Sequence, residues 1–191
     1  MLNEKTAILA IHLMGDIVAD GTAFGSLFYP EVARRDVIGK CNTAFTKVRD
    51  AGGTVVALRV AFQDDYSDLA PHIPLLAMAQ QAGALKDGSP GADIVADVEL
   101  HDSDFVVTHT RPGPFSSSHL ESLLKEHGIV NVIVCGVATN ASVESTVREA
   151  ADLGFNTFLL EDACSAATPE AHDAAVESMR LFAQVITTAD L

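Results

Sequence analysis

The chain has 191 residues, 48% of them hydrophobic, and its 12 Lys and Arg against 26 Asp and Glu leave a formal net charge of −14. That length predicts a single domain over residues 1–191, and the apolar content is too high for a disordered acidic chain. The negative excess repels phosphate backbones and anionic lipid, which argues against nucleic-acid and membrane partners and for a small-molecule substrate or ligand.

Along the chain, apolar runs rich in β-branched residues alternate with stretches of helical periodicity, the pattern of strands buried on both faces of a parallel sheet. The first run is TAILAIHL at 6–13, and the apolar spacing of Val32, Val37, Ile38, Cys41, Phe45 and Val48 predicts one long helix over 31–51, ended by Gly52 and Gly53. Strand TVVALRVA follows at 54–61. Residues 62–101 carry Pro71, Pro74 and Pro90 and read as a long excursion with one short helix near 74–81. Strand DFVVTH at 104–109 leads through RPGPFSSS to a helix from about His119. Strand VNVIVCG at 130–136 turns through Val137 and Ala138 into a helix over 140–153. Strand 156–161, helix 169–182 and strand 184–187 complete the chain. Right-handed crossovers then predict an α/β fold, a doubly wound parallel sheet with helices on both faces, in a three-layer, Rossmann-like arrangement whose ligands bind at the carboxyl ends of the strands.

The cysteines Cys41, Cys135 and Cys164 are odd in number and widely spaced, so neither a disulfide framework nor a thiolate metal site is expected, and a reducing, cytoplasmic setting follows. The first 20 residues hold an apolar stretch too short for a membrane span and no secretion signal is expected.

Residues just past strand ends face the crevice of such a fold. His12, Arg59, His109 and Arg111 stand at these positions, and Asn140 and Ser142 lie where a helix starts. A first helical turn offers unpaired N–H groups and the positive end of a dipole, which would stabilise an oxyanion beside Ser142. The plainer reading makes Asn140 a cap and Ser142 an ordinary first-turn residue. His12 and His109 are each open to a structural reading as hydrogen-bonded core imidazoles, while two at strand ends of one crevice suggest proton transfer. His72, His101, His119, His127 and His172 are expected to be solvated. His12 and His109 with Asp16 or His72 could offer metal ligands, but no close histidine pair supports it, and neither metal nor cofactor is expected.

The segments AILAIHLMGDIV, VVALRVAF, DFVVTHTRPGPFSSSHLESLL, VNVIVCGVATNASVESTVREAADLGF and FLLEDACSA make the chain resemble the isochorismatase-like cysteine hydrolase superfamily over nearly its whole length. The resemblance implies six parallel strands, an aspartate, lysine and cysteine triad, and a cis peptide before the nucleophile turn, here Val137-Ala138. His12, His109 and Ser142 occupy the three triad positions, whereas Asp16, Phe115, Gly136, Thr139, Thr146 and Asp162 keep the pattern. The expected activity is hydrolysis of a small molecule at an amide, ester or related C–N or C–O bond. In it Ser142 is the nucleophile, His109 the general base and His12 an orienter or second proton carrier, with Ala138 and Asn140 in the oxyanion turn. Arg59 and Arg111 are expected to hold a substrate carboxylate, and Phe24, Phe62, Tyr66 and Phe115 to wall the pocket. A catalytically inactive ligand-binding or structural member of the fold is the competing reading; cleavage of a vinyl ether with His12 as acid is a third. The apolar loops after Gly21 and Pro71 suggest a homo-oligomer, dimer or tetramer.

Overall fold

Strand β1 (Thr6–Ile11) is buried along its whole length, as its unbroken apolar run requires of a strand covered on both faces. The computed structural model describes residues 2–191. After β1 come α1 (Gly15–Val18), α2 (Gly25–Arg35), α3 (Val37–Asp50), β2 (Thr54–Val60) and α4 (Pro74–Ala82). Then follow β3 (Phe105–His109), α5 (Leu120–Glu126), β4 (Asn131–Val137), α6 (Glu144–Asp152), β5 (Asn156–Ser165), α7 (Pro169–Met179) and β6 (Gln184–Ile186). The six strands form one sheet in the order β3-β2-β1-β4-β5-β6, with every pairing parallel. The winding therefore reverses between β1 and β4, and a crevice opens at the carboxyl ends of these two strands. The doubly wound α/β architecture expected from the alternation of strand and helix is present.

Several boundaries differ from the sequence reading, each for a local reason. The helix expected over 31–51 is two helices, because Asp36 adopts a left-handed conformation (φ 53°) between α2 and α3. One amphipathic stripe runs through both, so apolar spacing did not reveal the joint. Strand β1 stops at Ile11, since His12 has φ 54° and its N–H turns to the Leu58 carbonyl at 2.9 Å. The helix expected from residue 140 opens instead with a wide turn at Thr139–Val143 before α6. The excursion at 62–101 is tied down through α1: Gly15 N–H donates to the Asp93 carbonyl, Asp16 N–H to that of Gly91, and the Asp16 carboxylate accepts from Leu85 N–H at 2.8 Å. No helix among the described residues is long and apolar enough to cross a membrane.

The largest fully buried side chains, among them Phe45, Phe62, Ile8, Leu9, Ile11 and Leu58, form the core between sheet and helices. Polar ties at its edge are few and specific. The Asp104 side chain, 3% exposed, accepts from the Arg49 guanidinium and from His101 N–H at 2.8 Å, joining β3 to α3. Removing one partner leaves a desolvated charge, so Asp104→Ala is expected to cost about 2 kcal/mol in urea denaturation. A change within a few tenths of a kcal/mol would show the pair to be solvated.

Candidate active site

Gly136, in register with Ile11, has φ 111°, and a Cβ there would lie 2.7 Å from the Ile11 nitrogen and still closer to its carbonyl oxygen. Only glycine permits this approach of β4 to β1. The tight junction lets β1 end abruptly, and His12 leaves it with its ring turned across the end of β2. His109, the last residue of β3, comes from the other side of β2. The two imidazoles meet with Nε2 atoms 2.9 Å apart, stacked at 20° with centroids separated by 4.9 Å. Both residues are buried, His12 at 5% and His109 at 1% exposure.

A backbone carbonyl fixes where the protons lie in this pair. His109 Nδ1 is 2.8 Å from the Arg111 carbonyl oxygen, which can only accept, so Nδ1 carries a proton. Burial pushes the His109 imidazole down to about 4, the bond to Arg111 opposing only in part, and the ring is neutral near pH 7. Its Nε2 is then a lone-pair acceptor, and the facing Nε2 of His12 must donate. Burial, and next the neighbouring His109, hold His12 well below the usual imidazole range, so it too is neutral, with Nδ1 as its remaining acceptor. No other described group bonds to that nitrogen.

His12 and Ser142 line one cavity of about 60 Å³, room for a compact guest. Its walls are mostly apolar, from Phe24 and Phe28 at α2, Leu75 and Leu76 on α4, and Val60 and Leu85. Ser142 is 3% exposed, its carbonyl accepts from the Thr146 hydroxyl at 2.6 Å, and no hydrogen bond joins its own hydroxyl to either ring. The peptide Val137-Ala138 is cis, as the family resemblance implied. The Ala138 carbonyl accepts from Ala141 and Val143 N–H, whereas the N–H groups of Ala138, Thr139 and Asn140 find no acceptor among the described residues.

The remaining expected site residues divide. Arg111 and Ala138 line the cavity with His12 and Ser142. The Arg111 guanidinium holds the Asp68 and Thr110 carbonyls through one nitrogen and pairs with no carboxylate among the described residues. His109 touches the cavity only through His12. Arg59 does not reach it. Val60, next along β2, points inward, so the pleat turns Arg59 to the opposite face, where it bonds to Asp87 and Thr108. Phe62 is fully buried in the core, Tyr66 donates its hydroxyl to the Ala84 carbonyl at 2.7 Å, and Phe115 stacks on Phe155. None of these three walls the cavity, and Asn140 is exposed outside it. Phe24 does line it. Sequence reasoning missed the α4 wall, although the apolar positions Leu75, Leu76 and Ala79 in PLLAMAQQA carry a helical spacing that could have shown it.

The expectation of a solvated His172 is corrected: it is 2% exposed, and its Nδ1 lies 2.8 Å from the Thr139 hydroxyl at the start of the turn. Cys135 lies inside β4, where the hydrogen bond with Cys41 and then burial push its thiol up, so it is no displaced nucleophile. No group of three or more His, Cys, Asp or Glu side chains among the described residues could hold a metal ion. Asp16 is engaged with Leu85 N–H, and His72 is exposed.

Residues 6–190 match the model of the isochorismatase domain. The chain is 30% identical over 171 residues to the isochorismatase family protein YwoC of Bacillus subtilis, across 90% of this chain and 83% of that one. It is 27% identical over 192 residues to the ureidoacrylate amidohydrolase RutB of Klebsiella pneumoniae, across 94% of this chain and 81% of that one. Among solved structures, an isochorismatase family protein from Desulfovibrio vulgaris superposes with a TM-score of 0.87 at 23% identity, covering 98% of this chain and 96% of that one.

Proposed function

We propose, from the premise that this chain belongs to the isochorismatase family, that it hydrolyses a compact amide, ureide or ester in the cavity lined by His12 and Ser142. The observation that carries this reading is the proton arrangement of the imidazole pair, which leaves His12 Nδ1 as a lone-pair acceptor on a residue that shares a cavity with the Ser142 hydroxyl. The roles of the two histidines are therefore the reverse of the sequence expectation. His12 is the base and His109 the group that positions it.

In the proposed reaction the Ser142 oxygen attacks the substrate carbonyl carbon while its proton passes to His12 Nδ1. The negative charge that develops on the carbonyl oxygen is met by the free N–H groups at Ala138 and Thr139. As the tetrahedral species collapses, His12 returns the proton to the leaving amine or alcohol; water, deprotonated by the same nitrogen, then attacks the acyl carbon, and the Ser142 oxygen leaves with that proton as the acid is released. Throughout, His12 Nε2–H stays bonded to the neutral His109 ring. A neutral imidazole stabilises the transient imidazolium less than a carboxylate would, so turnover is expected to be slow. The Arg111 guanidinium, which meets no carboxylate of the described residues, favours substrates that carry one. The amidohydrolase name of the relative RutB supports C–N cleavage.

A second reading, binding without turnover, is favoured by two observations: the Ser142 hydroxyl has no hydrogen bond to an imidazole, and burial makes His12 a weak base. Small amides, ureides and esters, with and without a carboxylate, separate the two readings. Turnover by the purified protein that falls to background in both Ser142→Ala and His12→Ala supports the hydrolase. Turnover that persists in Ser142→Ala removes the serine mechanism. Binding of the same compounds without any product leaves the second reading.

A further inference from the structure

On the side of the Thr139–Val143 turn away from the cavity, a polar chain crosses four elements, buried at Thr139 and His172 and partly exposed at Glu161 and Arg35. The Thr139 hydroxyl lies 2.8 Å from His172 Nδ1 on α7, and His172 Nε2 lies 3.4 Å from the Glu161 carboxylate on β5. Glu161 in turn accepts from Arg35 of α2 at 3.0 Å, and the same guanidinium donates to the Cys164 and Glu161 carbonyls. Thr139 is fully buried. A hydrogen bond between two such buried side chains, at the first residue of an irregular turn, fixes the turn in one orientation.

The direction of this bond follows from its far end. A carboxylate only accepts, so His172 Nε2 carries the proton that faces Glu161. Burial first, and then Arg35, hold the ring below its ordinary range, so it is neutral, and Nδ1 is the acceptor. The Thr139 hydroxyl therefore donates to His172. That bond sets the side-chain torsion of Thr139, whose N–H, with that of Ala138, would meet the oxyanion.

We infer that His172 is a positioning residue for the proposed reaction: by accepting the Thr139 hydroxyl it clamps the oxyanion turn from behind and aims Ser142 and the free N–H groups into the cavity. The functional meaning of this clamp rests on the hydrolase reading, but its physical existence does not.

The test uses amide hydrogen exchange of the full chain without any ligand, read at Ala141 and Val143, whose N–H groups bond to the Ala138 carbonyl at 3.1 and 3.2 Å. Asparagine can place an acceptor where Nδ1 stood, whereas glutamine places its polar end where Nε2 stood. In His172→Gln and Thr139→Val both amides are expected to exchange roughly tenfold faster, and in His172→Asn and Thr139→Ser within about twofold of the unmodified chain. Exchange at Ile133 and Val134, deep in β4, reports global stability and corrects each variant for a general loss of fold. Equal acceleration in His172→Asn and His172→Gln after that correction, or none in Thr139→Val, overturns the clamp. If the protein turns over an amide, His172→Gln should lower kcat with KM little changed. Absence of turnover in the unmodified chain refutes the hydrolase reading and leaves the exchange result to stand or fall alone.

Discussion

Gly136→Ala is expected to destabilise the protein by about 4 kcal/mol or more, enough to prevent accumulation of folded protein at 37 °C. Two effects add. The residue sits at φ 111°, where a side chain is strained, and the new Cβ would overlap the Ile11 carbonyl. The overlap is with the Ile11 backbone, so no rotamer change relieves it, and the strands must separate where the sheet is most buried. Gly154→Ala isolates the first effect, because Gly154 has φ 88° but nothing within 4 Å of the place a methyl group would take, and about 1 kcal/mol is expected there. Equal urea midpoints for the two variants would show that the close approach of β4 to β1 contributes nothing.

The imidazole pair makes the fold sensitive to acid over a defined range. Both rings are held neutral in the folded protein, His109 down to about 4 and His12 well below the usual value, while the unfolded chain takes up protons near pH 6.5. Between about pH 6.5 and 4 the unfolded state binds more protons, so stability rises with pH, is fully present above 6.5 and is lost as pH falls toward 4. The His109 shift alone corresponds to about 3 kcal/mol across that window, and His12 adds in the same direction. Proton uptake on unfolding, measured from stability against pH, should fall by about one proton in His109→Leu. An unchanged slope would mean that His109 is already solvated in the native state.

The sheet was legible because a strand covered on both faces must be largely apolar, as β1 and β4 are and as β2 is between Thr54 and Arg59. The rule that strand ends face the crevice also brought His12, Ser142 and Arg111 to one cavity. It failed for Arg59, one residue short of the end of β2, where the pleat decides the face. It failed again for Phe62, Tyr66 and Phe115, because the path of a loop after its strand depends on distant anchors such as Asp16 to Leu85. Which histidine keeps a free lone pair was beyond sequence reasoning altogether. That depends on the position of one main-chain oxygen, at Arg111, two residues beyond His109. His172 was hidden for a related reason: a histidine among polar neighbours on a helix looks solvated until the buried turn beneath it is known.

Arg111 carries two duties on chemically separate parts of one residue. Its main chain sets the protonation pattern of the histidines, and its side chain lines the cavity. Replacing the side chain removes charge from the cavity and also its bonds to the Asp68 and Thr110 carbonyls, so the main chain that fixes the histidine protons loses its tether with it. The electrostatics of the cavity and the tautomers of the imidazole pair are thus linked through a single residue.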